Sequence, residues 1–484
     1  MRFHVVLRYV ALSLLLNAIF MFISAIISAF QNDGALLPLL YSGLVTTLFG
    51  LFPLIFVPGT SQITNKEGLL IVVMSWLISC LVGALPYILW GDPFTVANAW
   101  FESVSGYTTT GSTILVNIEA LPQSLLFWRA ATHWIGGIGI IIFVLAVLPF
   151  IGIAEVVLFR SEISSMVQQN FHHRARKAIH ILAGVYLGLT LAETVILYFC
   201  GMTLFDAITH SFATIATGGF STKNASIAYY NSPLIEGVIS VFMILSGIHF
   251  ALLFSAATGK FRDFWSSTVL RYYLGFLFAG ILLGTVNIAL NGQDNWLTAF
   301  RYASFNILSV GTSTGFANAD TNIWPPFSKL LLMFFALQCA CSGSTSGGIK
   351  VDRIVIVIKA FVKQIKSVMH PNAVIPVRIS GGAVDDVVVS RSVLYVMVYL
   401  IIVFLSTLLL SLMGIDLETA FSGTVATMGN VGPGLGSVGS TGNFAMIPDL
   451  GKWLFSLTML LGRLEIYALF IAITPAQWKD TITY

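Results

Sequence analysis

Long apolar stretches with almost no charge constrain this chain more than any other feature. Ten of them, roughly 8–30, 36–57, 69–90, 122–150, 178–200, 233–256, 268–290, 327–349, 390–413 and 447–473, are long enough to span a hydrocarbon core. Only 9% of the residues are charged, where a soluble domain has about 25%. The sequence therefore predicts an all-α integral membrane protein with no separate soluble domain. The apolar run to Phe30 reads as an uncleaved first span, because it is long for a signal peptide and a second run follows at once. Cys80, Cys200, Cys339 and Cys341 lie in or beside apolar runs and read as reduced packing residues.

Four further apolar segments, 93–107, 203–215, 296–310 and 417–428, are too short to cross a membrane, and each ends in a stretch rich in Gly, Thr, Ser or Asn. Asp92-Pro93, Thr203, Asp294 and Asp416 stand where helix caps belong. The loop glycines Gly111, Gly218, Gly315 and Gly432 recur about every 100 residues, far above solenoid periods. The pattern is span, half-length helix, polar loop, span, four times over. It divides the chain into 1–65 (two leading spans), 66–160, 161–262, 263–378 and 379–484 (pore repeats one to four). Most of the 24 Lys and Arg, including Arg160, Lys350, Lys359, Lys363, Lys366 and Lys479, fall on one side of this arrangement. Positive-inside bias then puts both termini in the cytoplasm and the four loops outside.

Non-helical backbone at membrane depth is tolerated where it lines a water-filled path. A cation that sheds its water there needs a ring of oxygens, which backbone carbonyls supply. Glycine permits the required backbone angles, and a half-helix pointing its carboxyl end at the ion adds about half a negative charge to the field. The candidate ligands are Thr109, Thr110 and Gly111, Thr217 and Gly218, Ser313, Thr314 and Gly315, and Asn430, Val431 and Gly432. Gly429 is a rival register for the fourth loop. Close helix packing alone is the competing explanation for a single such loop, but it does not explain four in equivalent places.

TTTGST (108–113), HWIGGIGI (133–140), HSFATIATGGFST (210–222), GTSTGFANAD (311–320) and NVGPGLG (430–436) resemble the Trk/Ktr/HKT superfamily of potassium transporters, most closely its TrkH-type bacterial members. The resemblance covers essentially the whole chain. It implies four pseudo-symmetric repeats of membrane helix, pore helix and membrane helix around one central pore, plus two N-terminal transmembrane helices. It further implies potassium uptake across a bacterial inner membrane, a homodimer and a cytosolic nucleotide-binding regulatory ring of TrkA type. Family members that favour sodium carry serine in the first loop, where this chain has Gly111.

Residues 342–348 are all Gly, Ser or Thr and should break the helix begun at 327. The resemblance implies a gating loop there, formed by Gly343, Ser344, Thr345, Ser346, Gly347 and Gly348; an early start to a polar loop is the plainer reading. Arg463 lies deep in the last apolar run and needs a partner, because an unpaired arginine there costs about 2.5–3.5 kcal/mol. Glu465 is badly placed on a helix to reach it, so the carbonyls of 343–348 are the expected partners and Arg463 is the expected second part of the gate. Glu102, Glu119 and Asp320 suit either cation attraction at the mouth or solvated surface. His133, His210 and His249 have no metal-ligand spacing and read as bonded within the bundle. The basic segments 172–177 and 350–366 suit anionic lipid headgroups or an acidic partner. No HExxH, paired carboxylates or nucleophile elbow points to an enzyme, and no organic cofactor or nucleic acid is expected. A symporter coupling potassium to protons or sodium is the alternative to channel-like permeation.

Overall fold

The computed structural model describes residues 2–59, 64–151, 171–291 and 295–473. The boundary expected at 160/161, together with Arg160, Asp294 and Lys479, lies outside them. Two leading helices, α1 (Phe3–Gln31) and α2 (Leu36–Phe56), form a tight hairpin in which Gly43 meets Phe22 and Gly50 meets Leu15. Four repeats follow. The first comprises α3 (Asn65–Gly83) and α4 (Leu85–Trp90), the half-helix α5 (Val96–Tyr107) and α6 (Gln123–Ile151). The second comprises α7 (Phe171–Phe199), the half-helix α8 (Leu204–Ile215), α9 (Pro233–Ser246) and α10 (Phe250–Ala257). A short helix, α11 (Phe261–Ser266), leads to the third: α12 (Thr268–Leu290), the half-helix α13 (Trp296–Gly311), α14 (Pro326–Leu337) and α15 (Val351–Met369). A two-stranded ribbon, β1 (Arg378–Ile379) and β2 (Gly382–Ala383), precedes the fourth: α16 (Asp386–Leu412), the half-helix α17 (Leu417–Met428), α18 (Asp449–Arg463) and α19 (Tyr467–Ile473).

Among the described residues, six helices are long and apolar enough to cross a membrane, or seven if α9 and α10 count as one span. Three of the ten apolar runs are not continuous helices. The 233–256 run bends by 107° between α9 and α10, where Gly247 and Ile248 leave the helix and His249 caps the next one. The 327–349 run is helical only to Leu337, so its break begins before the Gly/Ser/Thr run. The 447–473 run stops at Arg463 and resumes at Tyr467, with Glu465 in the left-handed region at φ 49°.

Buried polar ties hold the leading hairpin to the first repeat. Asn17 of α1 donates to Ser79 of α3 at 3.0 Å and accepts from the Tyr107 hydroxyl of α5 at 2.9 Å. At the start of α3, Thr64 and Glu67 form a capping box, and Glu67 also pairs with Arg2 at 2.9 Å. In α6 and α18, side chains at Gly136 and Gly462 would collide with the last carbonyls of the neighbouring half-helices, those of Tyr107 and Met428. Glycine at those points lets each span lie directly against a half-helix.

Candidate functional site

The four half-helices end within about a residue of the sequence-derived positions and aim their carboxyl ends at one small region. Each begins with a side-chain cap. Thr95 accepts from Asn98 N at 3.2 Å, Thr203 from Asp206 N at 3.1 Å, Asn295 from Thr298 N at 2.9 Å and Asp416 from Thr419 N at 2.9 Å. Asp92 is therefore not the cap of α5; the chain runs three residues further before turning helical.

The exits from the half-helices repeat one backbone conformation. Thr109, Thr217, Ser313 and Asn430 all take left-handed angles, with φ of 53°, 55°, 57° and 53°. Thr110 N bonds to Ser105 O at 2.9 Å, and Gly218 N to Ala213 O, Thr314 N to Ser309 O and Val431 N to Ala426 O, each at 2.8 Å. The next residue is a glycine of positive φ every time: Gly111 (85°), Gly219 (76°), Gly315 (84°) and Gly432 (101°). Gly219, not Gly218, is thus the backbone counterpart of Gly111, and Gly218 occupies the position of Thr110. In the fourth loop the counterpart is Gly432; Gly429 caps α17 as Thr108 caps α5.

The four loops close on one another in cyclic order. A Cβ on Gly111 would strike the carbonyl oxygen of Gly218, and one on Gly219 that of Thr314. A Cβ on Gly315 would strike Val431 O, and one on Gly432 would strike Thr110 O. All four approaches fall inside the 3.0 Å that real Cβ atoms respect. One oxygen from each repeat is therefore seated on the glycine of the preceding repeat. Side chains tie the seam between the fourth and first loops: Ser112 Oγ donates to Gly432 O at 2.9 Å and Asn430 Nδ2 to Thr110 Oγ1 at 3.0 Å. Such a ring presents oxygens and no positive charge, which is the chemistry of a dehydrated cation.

Of the three acids read as mouth or surface carboxylates, Glu119 is exposed and Asp320 half-buried, and Glu102 alone departs from both readings. Glu102 is fully buried and paired with Arg129 at 2.6 Å. Buried, with its oxygens engaged by Arg129, Thr113 and Ile114, it is not available to solvent or to an approaching ion. Glu119 accepts from Asn224 N at 3.1 Å, and Asp320 caps a short turn through Asn322 N at 2.9 Å. The histidines are scaffold. Phe220 N donates to His133 Nε2 at 3.2 Å, so His133 Nδ1 donates to Gly106 O at 2.7 Å. His210 bridges Asp206 O and Ser221 Oγ, and His249 Nδ1 accepts from Ala251 N. Among the described residues no three His, Cys, Asp or Glu side chains could hold a metal ion together, and the four cysteines are free thiols.

Beneath the ring lies the segment between α14 and α15. Gln338 and Ile349 pair in a parallel bridge, which folds the segment back on itself. Cys341 N bonds to Gly247 O at 3.1 Å and Phe250 N to Gly343 O at 3.3 Å, so it docks on the break between α9 and α10. Thr345 Oγ1 donates to Ile215 O, the last residue of α8, at 3.0 Å. Gly347 N donates to Ser313 Oγ in the third loop at 3.1 Å, and Lys350 Nζ donates to Ser346 O. Gly347 packs on Asn430, and Gly348 on Gly429 and Cys339. Ser344 Oγ lies 3.1 Å from Ser346 Oγ. Arg463 is 1% exposed and donates through Nη1 to Thr345 O at 2.5 Å and through Nη2 to Gly136 O at 3.0 Å. Glu465 instead pairs with Arg353 at 2.7 Å.

Several residues of this region gave no signal in the sequence. Arg129 stands near the start of an apolar run, with no acid beside it in the chain. The interloop bonds of the Asn430 side chain need a partner 320 positions away in the chain. Glu193 of α7 is fully buried, with the Thr214 hydroxyl as its polar neighbour. A lone acid in an apolar run carries no spacing from which these surroundings can be read.

Fold and site together define a polytopic membrane protein whose four hairpins turn back into the membrane around one oxygen ring. The chain belongs to the TrkH family of cation transport proteins, whose family model matches residues 45–479. It is 35% identical over 487 residues to the Trk system potassium uptake protein TrkH of Salmonella typhimurium, covering 99% of this chain and all of that one. It is 36% identical over 495 residues to the protein of the same name from Vibrio parahaemolyticus, covering 99% and 100%. The crystal structure of the potassium transporter TrkH from Vibrio parahaemolyticus superposes with a TM-score of 0.90 at 33% identity, over 99% of this chain and 100% of that one.

Proposed function

We propose that this chain carries potassium ions across the bacterial inner membrane by channel-like permeation through the four-loop ring. The observation that carries the reading is the cyclic seating of four carbonyl oxygens on four glycines. Potassium is the ion in the names of the matching relatives, and Gly111 is compatible with it. The filter comprises Thr109–Gly111, Thr217–Gly219, Ser313–Gly315 and Asn430–Gly432. The segment 343–348 with Arg463 is the gate, because it fills the space under the ring and bonds to filter residue Ser313. The chain works as a homodimer with both termini in the cytoplasm, and a TrkA-type nucleotide-binding ring regulates it there. Cation flux into proteoliposomes across potassium, rubidium and sodium, with Gly111→Ser alongside, tests this. The substitution should relax selectivity toward sodium; unchanged selectivity would remove the first loop from the filter.

One observation favours the coupled symporter. The buried Glu193 is the kind of intramembrane acid that coupling to protons employs. Potassium flux that follows a proton gradient at fixed potassium, and stops doing so in Glu193→Gln, would establish that reading over the channel-like one.

A further inference from the structure

We propose that the buried Glu102–Arg129 pair determines ion specificity by holding one edge of the ring, the edge between the first and second loops. The proposal rests on the ring being the filter. Neither residue touches the ion path; both act as positioning residues.

The connections can be followed atom by atom. Glu102, on α5, accepts from Thr113 Oγ1 at 2.9 Å and Ile114 N at 3.0 Å, which fixes the segment leaving the first loop. It also accepts from Arg129 Nε at 2.6 Å. Arg129, on α6, reaches the second loop through Nη1, which donates to Ser221 O at 3.0 Å. Its guanidinium lies 3.5 Å from the centroid of the Phe220 ring. Phe220 stacks on His133, with ring centroids 4.0 Å apart and planes at 21°. His133 in turn fills the space beside Gly218, where any Cβ would strike the imidazole. Gly218 carries the oxygen seated on Gly111. The series therefore starts in the first repeat and ends on a ring oxygen of the second.

Comparison among the repeats isolates what the charge contributes. Counted from Ser105, Ala213, Ser309 and Ala426, the position of Glu102 is held by His210, Asn306 and Gly423 in the other three. His210 Nε2 meets Ser221 Oγ at 2.9 Å, and Asn306 Nδ2 donates to Asn318 Oδ1 at 2.7 Å. Each thus staples its half-helix to its own returning segment. Counted from Gly136 and Gly462, Arg129 corresponds to Phe455, which closes directly on Gly423. The fourth repeat fills both positions with apolar packing, so burial alone does not require an ion pair. The fork of Arg129 does what Phe455 does not: it holds Glu102 and a carbonyl of the next loop at once. Paired charges with their hydrogen-bonding capacity used add little net field but fix geometry.

The test uses the full purified chain in proteoliposomes and reads the ratio of sodium to potassium flux. Arg129→Lys keeps the charge but loses the fork; Glu102→Gln removes the ion pair. In protein that elutes as a single folded species, either should raise the ratio about tenfold, the order expected for one lost charge-assisted hydrogen bond. If Glu102→Gln does not fold, Arg129→Lys decides alone. A purely structural role would lower both fluxes together at a fixed ratio, and that result overturns the proposal. Gly219→Ala serves as the control for the ring. If it relaxes selectivity while Arg129→Lys does not, the brace is wrong and the filter stands. If neither does, the filter reading fails first and takes the brace with it.

Discussion

Removing the Arg463 side chain's donors is the sharpest perturbation of the segment beneath the ring. Arg463→Met keeps length and apolar volume but deletes the bonds to Thr345 O and Gly136 O. Hydrogen bonds from charged groups contribute about 1.5–3 kcal/mol each, so the gross loss is about 3–6 kcal/mol. Part of that returns, because a guanidinium is no longer held away from water. If the segment is the gate, a net loss of about 2–3 kcal/mol shifts its closed-to-open ratio by about 30- to 150-fold. Purified chain alone in proteoliposomes should then show potassium flux raised by at least about tenfold. Hydrogen exchange at the amides of Cys341 and Gly347, which bond to Gly247 O and Ser313 Oγ, should accelerate in parallel. Faster exchange with unchanged flux would mean that the segment is loosened without being the barrier. Unchanged exchange in folded protein would mean that Arg463 does not hold it, and the gate assignment would fall.

Gly219→Ala forces a non-glycine residue to φ 76° and its Cβ against Thr314 O; potassium-over-sodium selectivity in the flux series should drop. Gly136→Ala and Gly462→Ala overpack spans against half-helices and should each destabilise by about 1–3 kcal/mol, read as a lower melting temperature in detergent. Asp33, between α1 and α2, is pushed up by burial, but hydrogen bonds from Ser28, Ser124 and Ala35 outweigh that and hold its carboxyl below its ordinary value. Its contribution is complete above about pH 4 and is lost as pH falls through the lowered value, so the melting temperature should fall below about pH 4 in the parent and less in Asp33→Asn.

The half-helices were legible because their ends are written in local chemistry: apolar runs of insufficient length, then residues that helices exclude. What the sequence could not settle was always relational. IATGGFS contains two adjacent glycines, and only the hydrogen bond from Gly218 N to Ala213 O decides that the second one takes the place of Gly111. Glu102 read as either a mouth or a surface acid because its partner Arg129 is 27 positions away, on a different helix. The bend between α9 and α10 lies in a run apolar throughout, and its freed backbone groups are satisfied by Cys341 and Gly343 of another repeat. Hydropathy is continuous across such a break, because the groups that satisfy its backbone lie elsewhere in the chain.

Because one chain supplies all four loops, each ring oxygen exists once per pore. In a ring assembled from four identical subunits, any change to one loop appears four times. Here a single codon alters one quadrant and leaves three untouched. Glu102, His210, Asn306 and Gly423 stand at one equivalent position, so the quadrants differ in chemistry while keeping one backbone. Such a pore is open to stepwise tuning, one side at a time.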